Sequence, residues 1–276
     1  MDKLDRLGWA GGMAFRAFGA RVGIRVNEPG ALDRIESLLP PGWKPATHPV
    51  VDRLYSLRVG GASPKSRIRR YNLLYADMKR VGRSMDLDEV LEVLASDMQF
   101  FVAEASKTRI FTHAGVVGWR GRAVVLPGRS FSGKTTLVAA LVRAGATYYS
   151  DEYAIFDTRG RVHPYPRPLA IRDGSGRRFG RYAVEELGGS AGSRPLRVGL
   201  VVMSEYKPGA IWRPRALSPG QAALALLANT VSARLQPKLA LATLKRAVGR
   251  VPILMGARGE VDEVVQTLLS RLDEAA

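Results

Sequence analysis

The chain has 276 residues, of which 46% are hydrophobic and 24% charged, a composition typical of a globular protein with one large domain or a core plus a smaller one. It contains no cysteine, which excludes disulfides, iron–sulfur clusters and thiolate catalysis. The net charge of +17 is compatible with nucleic-acid binding, but the arginines are spread along the chain without an aromatic-interleaved basic block, so a nucleic-acid partner is not predicted.

The densest basic cluster, residues 65–70, is interpreted as a solvated surface. The N-terminal residues 1–6 carry mixed charge and lead into no apolar signal segment. The most apolar run, residues 222–228, is too short to span a bilayer. We therefore expect a cytoplasmic protein without a membrane partner.

Residues 1–105 predict a smaller α+β module. Its strand signals lie at residues 22–26, 54–59 and 71–75. Asn27 is a predicted N-cap for a helix carrying Leu32, Ile35, Leu38 and Leu39. The strongest amphipathic helix covers residues 87–105 and is expected to begin with a capping box formed by Asp86 and Glu89.

Residues 106–276 predict an α/β domain. Two strand signals, at residues 111–117 and 123–126, indicate a hairpin. After it we expect a helix from Lys134, strands on either side of Asp151 and Glu152, a loop over residues 173–195, and a buried strand at residues 198–203. Helices are predicted after Ser218, after Pro237 and over residues 261–272, with a strand at residues 253–255.

The centre of this domain is a phosphate-binding loop. The pattern G-x-x-x-x-G-K-[ST] is matched at every fixed position by Gly128, Arg129, Ser130, Phe131, Ser132, Gly133, Lys134 and Thr135. A short apolar strand precedes the pattern and a helical spacing follows it, which is the context that the motif requires. These eight residues and Thr136 are the predicted nucleotide-binding residues, and the ligand is predicted to be ATP with Mg²⁺.

The chemistry explains the residue types. Lys134 reaches the β- and γ-phosphates, and the Thr135 hydroxyl ligates Mg²⁺. Asp151 and Glu152 follow one helix later and can face the γ-phosphate if the strand ends or bends there. The alternative is a polar strand end with two solvated acids. Next to a phosphate loop, the pair predicts a carboxylate that accepts a hydroxyl proton and another that helps to hold the metal.

Three blocks of the sequence resemble bacterial HPr kinase/phosphorylase and its relatives with the phosphoenolpyruvate-carboxykinase-like fold. These are residues 113–116, the phosphate loop, and Ser150-Asp151-Glu152. The resemblance covers roughly residues 95–276. It implies a P-loop kinase core that transfers the γ-phosphoryl group of ATP to a serine hydroxyl of a protein or peptide.

By this resemblance the catalytic residues are Asp151, as the general base, Lys134, which stabilises the phosphates, and His113, which lies near the phosphates and is linked to their chemistry. Thr135 and Glu152 hold Mg²⁺. Without the resemblance, His113 would be interpreted as a core histidine. Related enzymes assemble into multimers, so the resemblance also implies a homo-oligomer.

This chain departs from the family at two places. Glu152 replaces the second aspartate of the family's acid pair, and residues 170–173 lack the family's metal-binding glutamate. Two other function classes stay open: a kinase for a small molecule such as free serine, and a nucleotide-gated binding module that transfers nothing.

Overall fold

The computed structural model describes residues 3–61, 70–128, 132–172 and 179–274. The chain divides into two compact units, residues 1–107 and 108–276. The division predicted from sequence lies at residues 105/106. The basic cluster at residues 65–70 lies almost entirely outside the described residues.

In its described residues, the N-terminal unit combines a six-stranded sheet, in the order β3-β1-β2-β4-β5-β6, with two α-helices. The sheet is antiparallel except for the parallel β2–β4 pair, which α1 connects. Apolar side chains of the strands pack against α2. The elements are β1 (Gly11–Ala17), β2 (Ala20–Val26), α1 (Ala31–Glu36), β3 (Lys44–Pro45), β4 (Arg53–Arg58), β5 (Asn72–Ala76), β6 (Lys79–Ser84) and α2 (Leu87–Ala105).

Two capping motifs in this unit differ from the prediction, one in its cap residue and one in its capping box. Helix α1 begins after Gly30, and the Asn27 side chain instead bonds the backbone N–H and C=O of Val59 on the neighbouring strand connection. Asp86 does cap α2, by accepting from the Asp88 N–H, but the Glu89 carboxylate accepts from the Ser84 hydroxyl rather than completing a capping box. A contact with a residue 32 positions away displaces the first motif, and a bond to a side chain just before the helix displaces the second.

The C-terminal unit has ten strands and four helices among its described residues. They are β7 (Ile110–Trp119), β8 (Arg122–Pro127), α3 (Lys134–Arg143), β9 (Thr147–Ser150), β10 (Tyr153–Phe156), β11 (Arg161–His163), β12 (Leu169–Arg172), β13 (Phe179–Tyr182), β14 (Leu196–Tyr206), β15 (Arg215–Ala216), α4 (Pro219–Ala228), α5 (Pro237–Val248), β16 (Ile253–Arg258) and α6 (Asp262–Glu274).

The main sheet of this unit runs in the order β11-β10-β7-β8-β14-β16-β15, and β11 also pairs with β14. Three central strands, β8, β14 and β16, are parallel. Helices α3 and α6 pack on one face and α4 and α5 on the other. This layering confirms the mixed α/β class, whereas the assignment to the HPr kinase type of core stays a prediction.

The parallel strands give the sheet two chemically distinct edges. Strand β8 leads directly from Pro127 into the phosphate loop, and β14 and β16 end at Tyr206 and Arg258 on the same side. In open α/β sheets, ligands bind outside the carboxyl ends of parallel strands. This edge therefore places residues from three strands around one point.

The interval between β9 and β10 positions the acid pair. Both strands pair with β7, through Val116 with Ser150 and His113 with Tyr153, and the chain bends between them. The buried Ser150 hydroxyl accepts from the N–H groups of Glu152 and Tyr153 and fixes the bend. The predicted break at Asp151-Glu152 is confirmed.

The predicted loop over residues 173–195 is wrong over part of its length. Residues 179–182 form β13, which pairs with β12 through four residue pairs, and a 3₁₀ turn follows at Val184–Leu187. Residues 173–178 lie outside the described residues. The glycine, serine and arginine content of this segment predicts a loop, because local composition carries no information about the strand that pairs with it.

Across the described stretches of the chain, no helix is long and apolar enough to cross a membrane.

Candidate functional site

Two glycines frame the cradle at the end of β8. Gly133 has φ of +82°, and a Cβ there would lie 2.5 Å from the Arg258 guanidinium. A Cβ on Gly128 would lie 2.7 Å from the Ser132 hydroxyl. Both positions need the space or the conformation that only glycine offers. Helix α3 begins immediately after Gly133 and points its N-terminus at the cradle.

Two polar atoms at the cradle have no protein partner. The Ser132 Oγ and the Arg258 Nε are buried and, within the part of the chain that the structure describes, accept or donate no hydrogen bond. Burying a polar group without a partner costs about 1–3 kcal/mol. A phosphate oxygen is a ligand that both donors can satisfy, so these atoms fit the predicted anion.

Lys134 occupies the first turn of α3, and its ammonium donates to the Gly128 carbonyl at 2.8 Å. Burial lowers the pKa of Lys134, while the negative charges of Glu152 and Asp151 oppose that shift. The ammonium is thus held over the loop, next to two carboxylates. A phosphate chain bound in the cradle would take the place of the Gly128 carbonyl as its partner.

Asp151 lies beside the first turn of α3. The Thr135 hydroxyl donates to Asp151 Oδ2 at 3.2 Å. The Tyr148 hydroxyl lies 3.0 Å from Asp151 Oδ1 and 2.8 Å from the Arg167 carbonyl, and its single proton is shared between these two acceptors. Burial raises the pKa of Asp151. A carboxylate with a raised pKa is a better proton acceptor than a solvated one.

The oxygen ligands for a metal are assembled at the same point. Mg²⁺ prefers hard oxygen donors and usually takes one or two carboxylates together with phosphate oxygens and water. Thr135, Asp151 and Glu152 supply such oxygens and line one cavity, in which Glu152 is exposed. In the described ranges no group of three or more His, Asp or Glu side chains could hold a metal without other ligands. The donor set therefore fits Mg²⁺ held jointly with phosphates.

His113 projects from β7 toward this cavity. Its ring packs on Tyr153 with centroids 4.6 Å apart. Burial and the charge of Lys134 lower the pKa of His113, which favours the neutral imidazole. The Gly128 N–H lies 3.4 Å from the His113 carbonyl, so the backbone of β7 also contacts the start of the loop.

Arg258 is a residue that the sequence analysis missed. It is 2% exposed, and its guanidinium donates to the carbonyls of Gly133 and Gly259. Burial lowers the pKa of Arg258, although Glu260 nearby opposes the shift. It was missed because the strand predicted at residues 253–255 was too short. Strand β16 continues for three more residues and brings Arg258 to the carboxyl edge.

These groups line one cavity of about 680 Å³, a size typical of small-molecule sites. The lining includes Lys134, Thr135 and Thr136 from α3 and also His113. The predicted nucleotide-binding residues Arg129, Ser130 and Phe131 lie outside the described residues. All other predicted site residues come together at the carboxyl edge of the sheet, and their roles stay predictions.

Comparison with known proteins adds little. No family model and no curated protein matches the chain. Among solved structures, the HPr(Ser) kinase/phosphatase from Coxiella burnetii matches with 12% identity and a TM-score of 0.33, over 59% of this chain and 88% of that one. A likeness this weak supports no argument about family or activity.

Proposed function

We propose that the chain is an ATP- and Mg²⁺-dependent kinase that transfers the γ-phosphoryl group to a serine hydroxyl of a protein or peptide. The observation that carries the proposal is the contact between Thr135 and Asp151, 3.2 Å from hydroxyl to carboxylate, inside a cavity that Lys134 also lines. With ATP bound in the proposed way, a carboxylate in that position would lie beside the terminal phosphate on the approach of the acceptor hydroxyl.

The proposed reaction is an in-line displacement. The serine oxygen forms a bond to the γ-phosphorus, the bond from that phosphorus to the β,γ-bridging oxygen breaks, and ADP leaves. The serine proton passes to the Asp151 carboxylate. Lys134 and the backbone N–H groups at the start of α3 stabilise charge on the phosphate oxygens.

When bound, Mg²⁺ neutralises charge shared between the β- and γ-phosphates. Thr135 and Glu152 are the proposed protein ligands. Glu152 is one methylene longer than aspartate and is exposed in the cavity next to the bend between β9 and β10, so its carboxylate would be available to hold the metal. His113, neutral by virtue of its lowered pKa, lies within the same cavity and is proposed to contact the phosphates.

A binding module that transfers nothing is the second candidate. The observation in its favour is that both oxygens of Asp151 already face protein hydroxyls, those of Thr135 and Tyr148. In such a module Asp151 would only hold the loop helix against β9. Nucleotide binding without ADP formation under any acceptor condition would support this candidate.

The test uses γ-labelled ATP, Mg²⁺ and two acceptors, a degenerate serine peptide library and free serine, with the same library carrying alanine for serine as the control. The proposal predicts label on the serine library alone. Label on free serine instead would assign a small-molecule kinase. Tight ATP binding with no label on any acceptor and no ADP would contradict the kinase.

A further inference from the structure

A second cavity lies at the opposite edge of the C-terminal sheet. It has a volume of about 810 Å³ and is lined by the first residues of the same parallel strands whose ends form the cradle. Arg122 begins β8, Arg197 is the second residue of β14, and Val251 precedes β16. We call it the basic cavity.

Three arginines that line the basic cavity lie side by side on adjacent strands. Arg161 of β11 is the register partner of Arg197 of β14, and Arg197 is the register partner of Arg122 of β8. Neighbouring strands are about 4.8 Å apart, so the Cα positions of this row span about 10 Å. Like charges directly opposite each other on paired strands destabilise a sheet.

Helix α5 and two connections add four more cations. They are Arg159, Lys245, Arg246 and Arg250. The turn carrying Arg159 lies close to α5, where Arg246 donates to the Thr158 carbonyl. The approach is so close that a Cβ on Gly160 would lie 2.8 Å from the Ala247 nitrogen. The cations on this side of the cavity therefore lie on elements that pack against each other.

Among the described residues, the cations of the basic cavity lack acidic side-chain partners, although Asp157 accepts from the backbone N–H groups of Arg159 and Arg161. Within residues 3–61, 70–128, 132–172 and 179–274, no Asp or Glu lines it, and none of its seven cations pairs with a carboxylate. Seven cations around one concavity create a positive potential, because their separations are comparable to the Debye length of about 8 Å, and a bound anion lowers their mutual repulsion.

The lining also indicates the class of anion. Guanidinium groups bind phosphate oxygens bidentately, and six of the seven cations are arginines. Among the described lining residues there is no aromatic ring on which a nucleobase would stack. A row about 10 Å long exceeds the reach of one phosphate but suits a short chain of them.

We propose that the basic cavity binds a compact oligophosphate, at a site separate from the phosphate loop. The proposal does not depend on the kinase activity, because it rests on residues at the other edge of the sheet.

The probe is inorganic tripolyphosphate, titrated calorimetrically into the 276-residue chain. Because tripolyphosphate would also enter the phosphate loop, all variants carry Lys134→Met. We expect one bound tripolyphosphate per chain on this background. Arg161→Gln with Arg197→Gln removes two charge-assisted contacts and should raise the dissociation constant about a hundredfold.

The matched control is Arg213→Gln with Arg215→Gln, which removes the same charge from residues that do not line the cavity. It should change the dissociation constant less than about threefold. Circular dichroism melts of both double variants establish that they fold. Removing repulsive charge should not lower the melting temperature.

Three results would overturn the proposal. One is absence of tripolyphosphate binding to the Lys134→Met chain at physiological salt, and another is binding that the cavity variant leaves unchanged. The third is a single-stranded oligonucleotide that displaces tripolyphosphate at lower concentration and loses affinity in the cavity variant, which would assign the cavity to nucleic acid.

Discussion

The two edges of the C-terminal sheet differ in their acids: one cavity combines cations with carboxylates, and the other is lined by cations without any described carboxylate. At the carboxyl edge, Lys134 and Arg258 share a cavity with Asp151, Glu152 and Glu260. At the amino edge, seven cations share a cavity that no described carboxylate lines. The same three parallel strands, β8, β14 and β16, connect both edges.

This difference between the two edges separates phosphate binding from phosphoryl transfer. Cations alone can attract and hold a phosphate, but they offer no acceptor for a proton. At the carboxyl edge the bend between β9 and β10 brings a carboxylate within 3.2 Å of the Thr135 hydroxyl. We therefore expect phosphoryl transfer only at the carboxyl edge. Variants that remove the carboxylate or the cations should separate the two properties.

The largest expected effect comes from Asp151→Asn, which keeps the shape of the side chain but removes the proton acceptor. We expect the rate of phosphoryl transfer to fall about 1,000-fold, within the range for loss of a general base. The affinity for ATP should change less than about threefold, since the phosphates are held mainly by Lys134 and backbone N–H groups.

Asp157→Asn is the control for that variant. Asp157 lies at the other end of β10, where its carboxylate contacts His163 and the backbone of residues 159 and 161. Its transfer rate should stay within about twofold of the wild type. Equal losses in the two variants would mean that the carboxylate at the cradle is structural.

Loss of the Lys134 ammonium should act first on the affinity for ATP and only then on phosphoryl transfer. In Lys134→Met we expect the dissociation constant for ATP to rise about a hundredfold, because the half-buried ammonium no longer meets the phosphates. Isothermal titration with a non-hydrolysable ATP analogue measures this. Lys238→Met, on the exposed surface of α5, is the matched control and should bind as the wild type does.

The same two aspartates should affect stability with opposite signs. Burial raises the pKa of Asp151, so ionisation costs stability once the pH rises above the unfolded value of about 3.9. Burial also acts on Asp157, but hydrogen bonds from His163 and the backbone outweigh it and lower its pKa. Ionised Asp157 therefore adds stability that is lost as the pH falls below that value.

Denaturation at pH 7 and at pH 3 tests the signs. At pH 7, Asp151→Asn should raise the free energy of unfolding, whereas Asp157→Asn should lower it by about 2 kcal/mol. Both differences should shrink at pH 3, where the carboxyls are protonated in the unfolded chain. A loss of stability in Asp151→Asn at pH 7 would show that its hydrogen bonds outweigh its burial.

The smallest effect is expected at the amino edge. Arg161→Gln removes one of three register-paired arginines, so the free energy of unfolding should rise by about 0.5 kcal/mol at low salt. In 1 M salt the gain should vanish, because the Debye length falls to about 3 Å. A gain that persists at high salt would indicate a packing effect instead of charge repulsion.

The sequence predicts those features that local patterns encode. The phosphate-loop spacing placed Gly133 and Lys134 at a helix start, and two acids within one strand signal predicted the break between β9 and β10. Each of these features depends on a few consecutive residues. Local spacing is therefore enough to find them.

Contacts between distant residues escaped prediction. Asn27 has the chemistry of a helix cap, yet it bonds Val59, 32 residues away. Arg258 reaches the Gly133 carbonyl across 125 residues, and the row of Arg122, Arg161 and Arg197 exists only through strand pairing. Sheet register brings these groups together, and no local pattern specifies register across such separations.

The most direct test of the central claim is a crystal structure of the chain with Mg²⁺ and a non-hydrolysable ATP analogue. The account predicts the triphosphate in the cradle of Gly133 and Lys134, with an Asp151 oxygen within hydrogen-bonding reach of an acceptor oxygen placed in line with the γ-phosphorus. A γ-phosphate on the far side of Thr135 from Asp151, with no path for an acceptor hydroxyl between them, would contradict it.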